Sequence, residues 1–342
     1  MKRKLQHAVA GIFALCCLAL FAWWNATKPR VLVLHSYDTE YAWSREVTVG
    51  LQRALERKTG YSIRWHYMDT KRHPWPDFVR RAGIGAQRVV EQWRPDVVIA
   101  IDDDAQKYVM KSYVNDPKIR IVFAGINGDI AAYGYDRAPN ATGIVERVPW
   151  SAIRETLLGS SLAGRKSEIR LLHLGDLSES VREDAEQSRN FDWWPLKLAG
   201  VHLVETFDEW KAQVRSAEGK ADVILISNYR RLVDAAGSKR LVDPKEVVAW
   251  TEANSKLPLI GLNSYYAEDG GMLSIAASPY EQGEVAASMA IRILDQRSSP
   301  DTIPVETTRQ FIVSIRAASL AAHDIRLPVF YESFARATNT YH

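Results

Sequence analysis

The chain has 342 residues and a formal charge of +3, which falls to zero once Lys2, Arg3 and Lys4 are set aside. A single core stops growing near about 250 to 300 residues, so two lobes are expected. The neutral remainder lacks the basic footprint that a nucleic-acid partner requires. Both cysteines, Cys16 and Cys17, lie in the N-terminal apolar run, so the rest has no thiol or disulfide and suits an oxidising compartment.

Lys2, Arg3 and Lys4 precede an apolar run from Ala8 to Trp24, the charge-then-apolar order of an export signal or signal anchor. The run exceeds the about 7 to 15 residues of a secretory core and meets the lower limit of about 17 for a span. Trp23 and Trp24 resemble an interfacial pair, and no clean small-x-small cleavage site follows. Residues 8–24 therefore read as an uncleaved anchor in the inner membrane, with cutting after Ala22 or Ala26 as the alternative. Everything downstream is then periplasmic or otherwise extracytoplasmic.

Short, fully apolar strands follow, and each breaks into polar or aromatic residues at its carboxyl end. Val31 to Leu34 runs into His35-Ser36-Tyr37, Val97 to Ile101 into Asp102-Asp103-Asp104, and Ile121 to Ala124 into Gly125-Ile126-Asn127. Helices are predicted over Thr48 to Lys58, Pro76 to Trp93 and Asp104 to Val114, with a strand at Ser62 to Met68. This βαβ alternation builds a right-handed parallel sheet. A stretch near Thr142 to Trp150 contains Pro149 and breaks the rhythm, so the first crossing between lobes is placed there. A second series then meets Gly175-Asp176, Ser227-Asn228-Tyr229 and Asn263-Ser264-Tyr265 at its strand ends. Its helices are expected near Ser180 to Asn190, Asp208 to Ala217, Pro244 to Asn254 and Pro279 to Leu294. The fold class is thus α/β, two doubly wound parallel-sheet lobes, and ligands sit at the carboxyl ends of such strands.

The candidate ligand-binding residues are those strand ends. Ser36 offers a hydroxyl and Tyr37, Tyr41 and Trp43 offer aromatic faces, while His35 reads equally as a ligand group or a core cap. Asp102 and Asp103 face the cleft in one reading and cap a helix in the other; consecutive carboxylates diverge, so no metal site is assigned. Gly125 permits close backbone approach and Asn127 supplies donor and acceptor, although Asn127-Gly128 is also a turn dipeptide. Glu146 reaches the ligand or stabilises the hinge. Asp176, Asn228, Tyr229, Asn263 and Tyr265 hold the equivalent places in the second half. Trp193 and Trp194 either rim the cleft or pack the lobe, and His66 and His173 read as core histidines. No nucleophile elbow, zinc-protease motif or phosphate loop is present, so no catalytic residue and no cofactor are assigned.

At VLVLHSYDTEYAW (Val31 to Trp43), YMDTKRH (Tyr67 to His73), PDVVIAIDDDAQKYV (Pro95 to Val109) and IVFAGINGD (Ile121 to Asp129) the chain resembles a known family. EQGEVAASMAIRIL (Glu281 to Leu294) and IRLPVFYESFARA (Ile325 to Ala337) extend the likeness. The family is the ABC-transporter substrate-binding proteins of the type I periplasmic binding fold, in the branch whose first strand ends in His-Ser-Tyr. The resemblance implies two lobes joined by a three-crossing hinge and closing on a solute. Residues 28–145 plus 278–296 would form one lobe, 146–277 plus 303–316 the other, and 317–342 a tail packed on them, after a leader at 1–27. It implies a small polar solute and an ABC permease as partners, or a membrane sensor protein. From another class, a secreted α/β hydrolase-like enzyme is the alternative.

Overall fold

The computed structural model describes residues 2–342; the side chains at positions 2, 4, 5 and 8, with the leader cations Lys2 and Lys4, lie outside the described residues. An N-terminal helix, α1 (Lys2–Thr27), carries an apolar stretch long enough to cross a membrane, Val9–Thr27, none of it buried. Only Lys28 and Pro29 separate it from β1 (Arg30–His35).

The first sheet holds β1, β2 (Ser62–Tyr67), β3 (Val97–Ile101), β4 (Arg120–Ile126), β5 (Ala141–Val145) and β11 (Glu306–Thr307), in the order β11-β5-β4-β3-β1-β2 and parallel throughout. The second holds β6 (Arg170–Asp176), β7 (Lys197–Val204), β8 (Val223–Ile226), β9 (Leu259–Gly261), β10 (Leu273–Ala277) and β12 (Phe311–Ile315), in the order β12-β10-β9-β8-β6-β7. Only β12 runs antiparallel to its neighbour. Every residue of β3 and β8 is buried, which is why both are written as unbroken apolar runs: helices cover both faces. Each such Val, Leu or Ile contributes up to about 1.5 to 3 kcal/mol by leaving water. In both sheets the strand order reverses beside the first strand of the lobe, and that reversal opens a crevice at the carboxyl ends.

The chain passes between the sheets three times: after β5, between β10 and α10 (Pro279–Asp295), and between β11 and β12. Helix α10 returns to the first lobe and lies on α2 (Ala42–Leu55). A Cβ on Gly50 or on Gly283 would stand 2.2 Å from a backbone oxygen of the facing helix, so these two helices touch backbone to backbone. The crossings are laced together from α10. Gln282 accepts from the Gly125 N–H at 2.8 Å and donates to Thr308 Oγ1 at 2.7 Å, while Glu281 accepts from the N–H groups of Arg309 and Gln310.

Several elements differ from the sequence expectation. Helix α2 starts at Ala42, not Thr48, because Asp38 Oδ1 accepts from the N–H groups of Glu40 and Tyr41 and fixes the turn that launches it. The helix after β3 is short, α4 (Asp103–Tyr108), and continues as a 3₁₀ turn at Met110–Tyr113. Pro149 does not break the chain's rhythm: it precedes the first turn of α5 (Trp150–Gly159), where its missing N–H costs nothing. The strand β7 fills an interval where no element was expected. Glu306 and Thr307 join the first sheet, so the assignment of 303–316 to the second lobe is corrected at that point. The C-terminal residues form α11 (Ala317–Ala322) and α12 (Val329–Ala337), the latter packed on β12.

Candidate functional site

The two sets of strand ends face each other across a cleft. Tyr37, Tyr41, Trp43, Lys71, Asp102, Asn127 and Glu146 line it from the first lobe and its crossing, and Ser180, Asp184, Asn228, Asn263 and Tyr265 from the second. The cavity between them is about 20 Å³, room for a water molecule, whereas small-molecule sites run to about 300 Å³ and more. Bonds from lobe to lobe hold this closure. Lys107 pairs with Glu179 at 2.8 Å, Gln187 Nε2 donates to the Asn127 carbonyl at 3.2 Å, and Ser264 Oγ donates to Glu46 at 3.0 Å. The Tyr41 and Tyr265 rings meet at 5.5 Å, with the Arg230 guanidinium 4.6 Å from the Tyr265 ring and paired to Asp269.

Burial dominates the electrostatics. It pushes the Asp102 carboxyl well above the ordinary range, an effect opposed by Lys71 and reinforced by Asp103 and Asp104. Glu146 is raised likewise by burial, then by Asp184, Asp102 and Asp103. Burial lifts Asp184 to about 7 against the hydrogen bond from Ser227 Oγ. The same desolvation lowers the Lys71 ammonium to about 8, helped by Arg231 and resisted by Asp176, Asp102 and Asp104. Lys71 Nζ sits 4.5 Å over the Tyr37 ring and 5.4 Å over Tyr41, a favourable seat for a partly dehydrated cation. Three polar atoms of the lining have no partner: Asp102 Oδ2, Trp43 Nε1 and Asn228 Nδ2. The Trp43 N–H stands beside the Asp102 carboxyl and counters the burial that raises it.

Of the residues singled out from the sequence, Tyr37, Tyr41, Trp43, Asp102, Asn127, Glu146, Asn228, Asn263 and Tyr265 come together in this lining. The others stand behind it. His35 is fully buried and stacked on Tyr67 at 4.8 Å, with burial taking its pKa down to about 3. Ser36 Oγ donates to the Ile101 carbonyl and accepts the Ala105 N–H, stapling β1 to α4. Asp103 accepts from Tyr133 Oη at 2.7 Å, and Tyr229 Oη donates to Asp269 at 2.6 Å. Asp176 is consumed by Ser178 and by the Arg231 N–H. Gly125, at φ +69°, serves indirectly, since a Cβ there would lie 2.9 Å from Asp102 Oδ1. Trp193 is buried and donates to the Ser188 carbonyl while Trp194 is exposed; neither lines the cavity.

Sequence reasoning missed three lining residues: Lys71, Ser180 and Asp184. Lys71 lies in a charged loop after β2, and Ser180 and Asp184 lie on the first turns of α6 (Glu179–Asn190), which starts at the cleft. The usable signal was their place just beyond a strand end rather than their composition.

The family of ABC transporter substrate binding proteins matches residues 179–333. No curated protein matches the chain. Among solved structures, the chain is similar to an ABC domain in complex with L-Trp from Streptococcus pneumonia, at 16% identity and a TM-score of 0.66, covering 90% of this chain and 98% of that one. A substrate binding protein with adhesive properties from Clostridium difficile is similar at 17% identity and TM-score 0.62, over 88% and 96% of the two chains. A carbohydrate transporter solute binding protein from Agrobacterium Radiobacter, in complex with D-arabinose, is similar at 12% identity and TM-score 0.54, over 90% and 99%. Residues 179–333 are thus similar to the ABC transporter substrate binding proteins, and the chain shares the two-lobe periplasmic binding fold of these solved structures.

Proposed function

We propose that the protein is the extracytoplasmic solute-binding component of an ABC-type transport system, tethered by α1, which holds one small polar molecule between its lobes and presents it to a permease. The observation that carries this reading is the meeting of polar strand ends from both sheets around one cavity, with unused hydrogen-bonding capacity on Asp102, Trp43 and Asn228. A buried polar atom without a partner costs about 1 to 3 kcal/mol, a cost that a solute supplying the missing partner removes. Parting the lobes about the laced crossings admits the solute, and closing desolvates it. L-Trp in one protein of this fold and D-arabinose in another support a site whose chemistry, not its fold, selects the guest. No turnover is part of this function.

The exposed apolar helix α1 favours a second reading, a membrane-tethered sensory module that signals to a kinase. Co-purification from membranes distinguishes them by recovering a permease or a kinase.

The test is a thermal-shift screen of the full chain in detergent against sugars, amino acids and amines, since a ligand of the folded form raises the melting point. With a solute in hand, Asn127→Ala and Asn228→Ala are each expected to weaken calorimetric affinity by about tenfold, near the worth of one hydrogen bond, with melting unchanged. Unaltered affinity in both variants removes the site.

A further inference from the structure

Three carboxyls line the cavity, Asp102 from the first lobe, Glu146 from the crossing and Asp184 from the second lobe, against a single lining cation, Lys71. The other cations nearby are engaged elsewhere. Arg147 donates to the carbonyls of Ile126, Asn127, Glu146 and Gly128, Arg230 pairs with Asp269, and Arg231 stands 4.0 Å from Asp104. Asp103, also facing this group, is held by Tyr133, and Asp176 by backbone N–H groups. Carboxyls therefore outnumber cations in the lining, and they come from both lobes, so each closure drives these groups together. Asp102 is 2% exposed, and its Oδ2 has no donor. The rings of Tyr41, Trp43 and Tyr265 complete the wall, and two of them already hold the protein's own cations, Arg230 over Tyr41 and Tyr265 and Lys71 over Tyr41.

We propose that the cleft is built for a solute carrying a cationic nitrogen, a protonated amine or a quaternary ammonium, seated among Asp102, Glu146 and Asp184. The proposal rests on the solute-binding reading and adds the class of guest. A cationic nitrogen supplies the charge that the three carboxyls lack on closure, whereas a neutral guest of the same shape leaves them to be protonated or to repel. The unpartnered Asn228 Nδ2, on the opposite wall, fits a hydroxyl or carbonyl acceptor on the same molecule.

Two measurements decide it. The full chain in detergent is equilibrated with a metabolite extract, washed, and its retained small molecules are released and identified by mass spectrometry. A retained amine or quaternary ammonium supports the proposal, and a retained neutral or anionic solute overturns it. Retention of nothing sinks the solute-binding reading on which it rests. In parallel, isosteric pairs are compared by calorimetry: tyramine with tyrosol, and putrescine with butane-1,4-diol. The amine of at least one pair is expected to bind about 10- to 100-fold more tightly than its alcohol, the worth of a charged hydrogen bond, and Asp184→Asn or Asp102→Asn to erase that preference while the fold, followed by melting, persists. Alcohols binding as tightly as amines, or folded carboxamide variants that keep the preference, overturn it.

Discussion

The two lobes share a strand order position for position, yet they bring different chemistry to the cleft. The first supplies the buried carboxyl of Asp102, the Lys71 ammonium, the Asn127 amide and the rings of Tyr37, Tyr41 and Trp43; the second supplies the amides of Asn228 and Asn263, the Ser180 hydroxyl, the Tyr265 ring and one carboxyl, Asp184. Topology fixes where a strand end points, and the residue placed there is free to vary. One lobe thus carries most of the charge, and the other most of the directional hydrogen bonding. The scaffolds behind them match in strand order and differ in direction only at the edge, where β11 is parallel and β12 antiparallel.

That match is open to attack through the cores. Ile99→Ala in β3 and Ile224→Ala in β8 remove fully buried side chains at corresponding central strands, and each is expected to cost about 2 to 5 kcal/mol. Calorimetry should show each variant lowering the melting of its own lobe; identical traces for both would mean that the lobes melt as one body.

The charge difference is sharpened by pH. Glu46, bonded across the cleft to Ser264, and Asp184 both stand at about 7 in the closed lobes, raised chiefly by burial. A carboxyl raised by closure favours the closed form at pH values below its ordinary pKa of about 4, and that advantage is lost as pH rises through about 7. Around Glu46 stand Glu268, Arg45 and Tyr280; around Asp184 stand Asp103, Lys71 and Arg147. Lys71, depressed to about 8, exerts its opposite effect above that pH. Small-angle scattering without added solute should therefore give a smaller radius at pH 5 than at pH 8, and the reverse order would contradict the assignment of burial as the cause.

The smallest effect belongs to the rim. Lys107→Ala breaks the exposed pair with Glu179, worth at most about 1 kcal/mol, so solute affinity should fall by less than about fivefold. A larger loss by calorimetry would make this pair a latch rather than a rim contact.

The sheets were legible because a doubly covered parallel strand has to be an unbroken apolar run, and Val97 to Ile101 or Val223 to Ile226 can hardly be anything else. Strand β7 was not, since Lys197, Gly200 and His202 interrupt an edge strand with only partial burial. Helix α5 was hidden by Pro149, which reads as a breaker although it sits just ahead of the first turn. At the site, strand-end residues such as Asn127 and Asn228 followed directly from topology. Lys71 and Asp184 did not, because a lysine in a charged loop and an aspartate in a charged helix look solvated until the opposite lobe is laid over them. His35, Ser36 and Asp176 shared the right address, but their hydrogen bonds or rings turn inward to fix the strand ends that others display.

Helix α1 ends only Lys28 and Pro29 short of β1, a reach of roughly 10 Å even at full stretch. With that helix kept in the bilayer, the body has almost no leash. So held, it would patrol a plane instead of a volume, and would meet any neighbour in that plane at a local abundance that dilution of the surrounding fluid cannot lower.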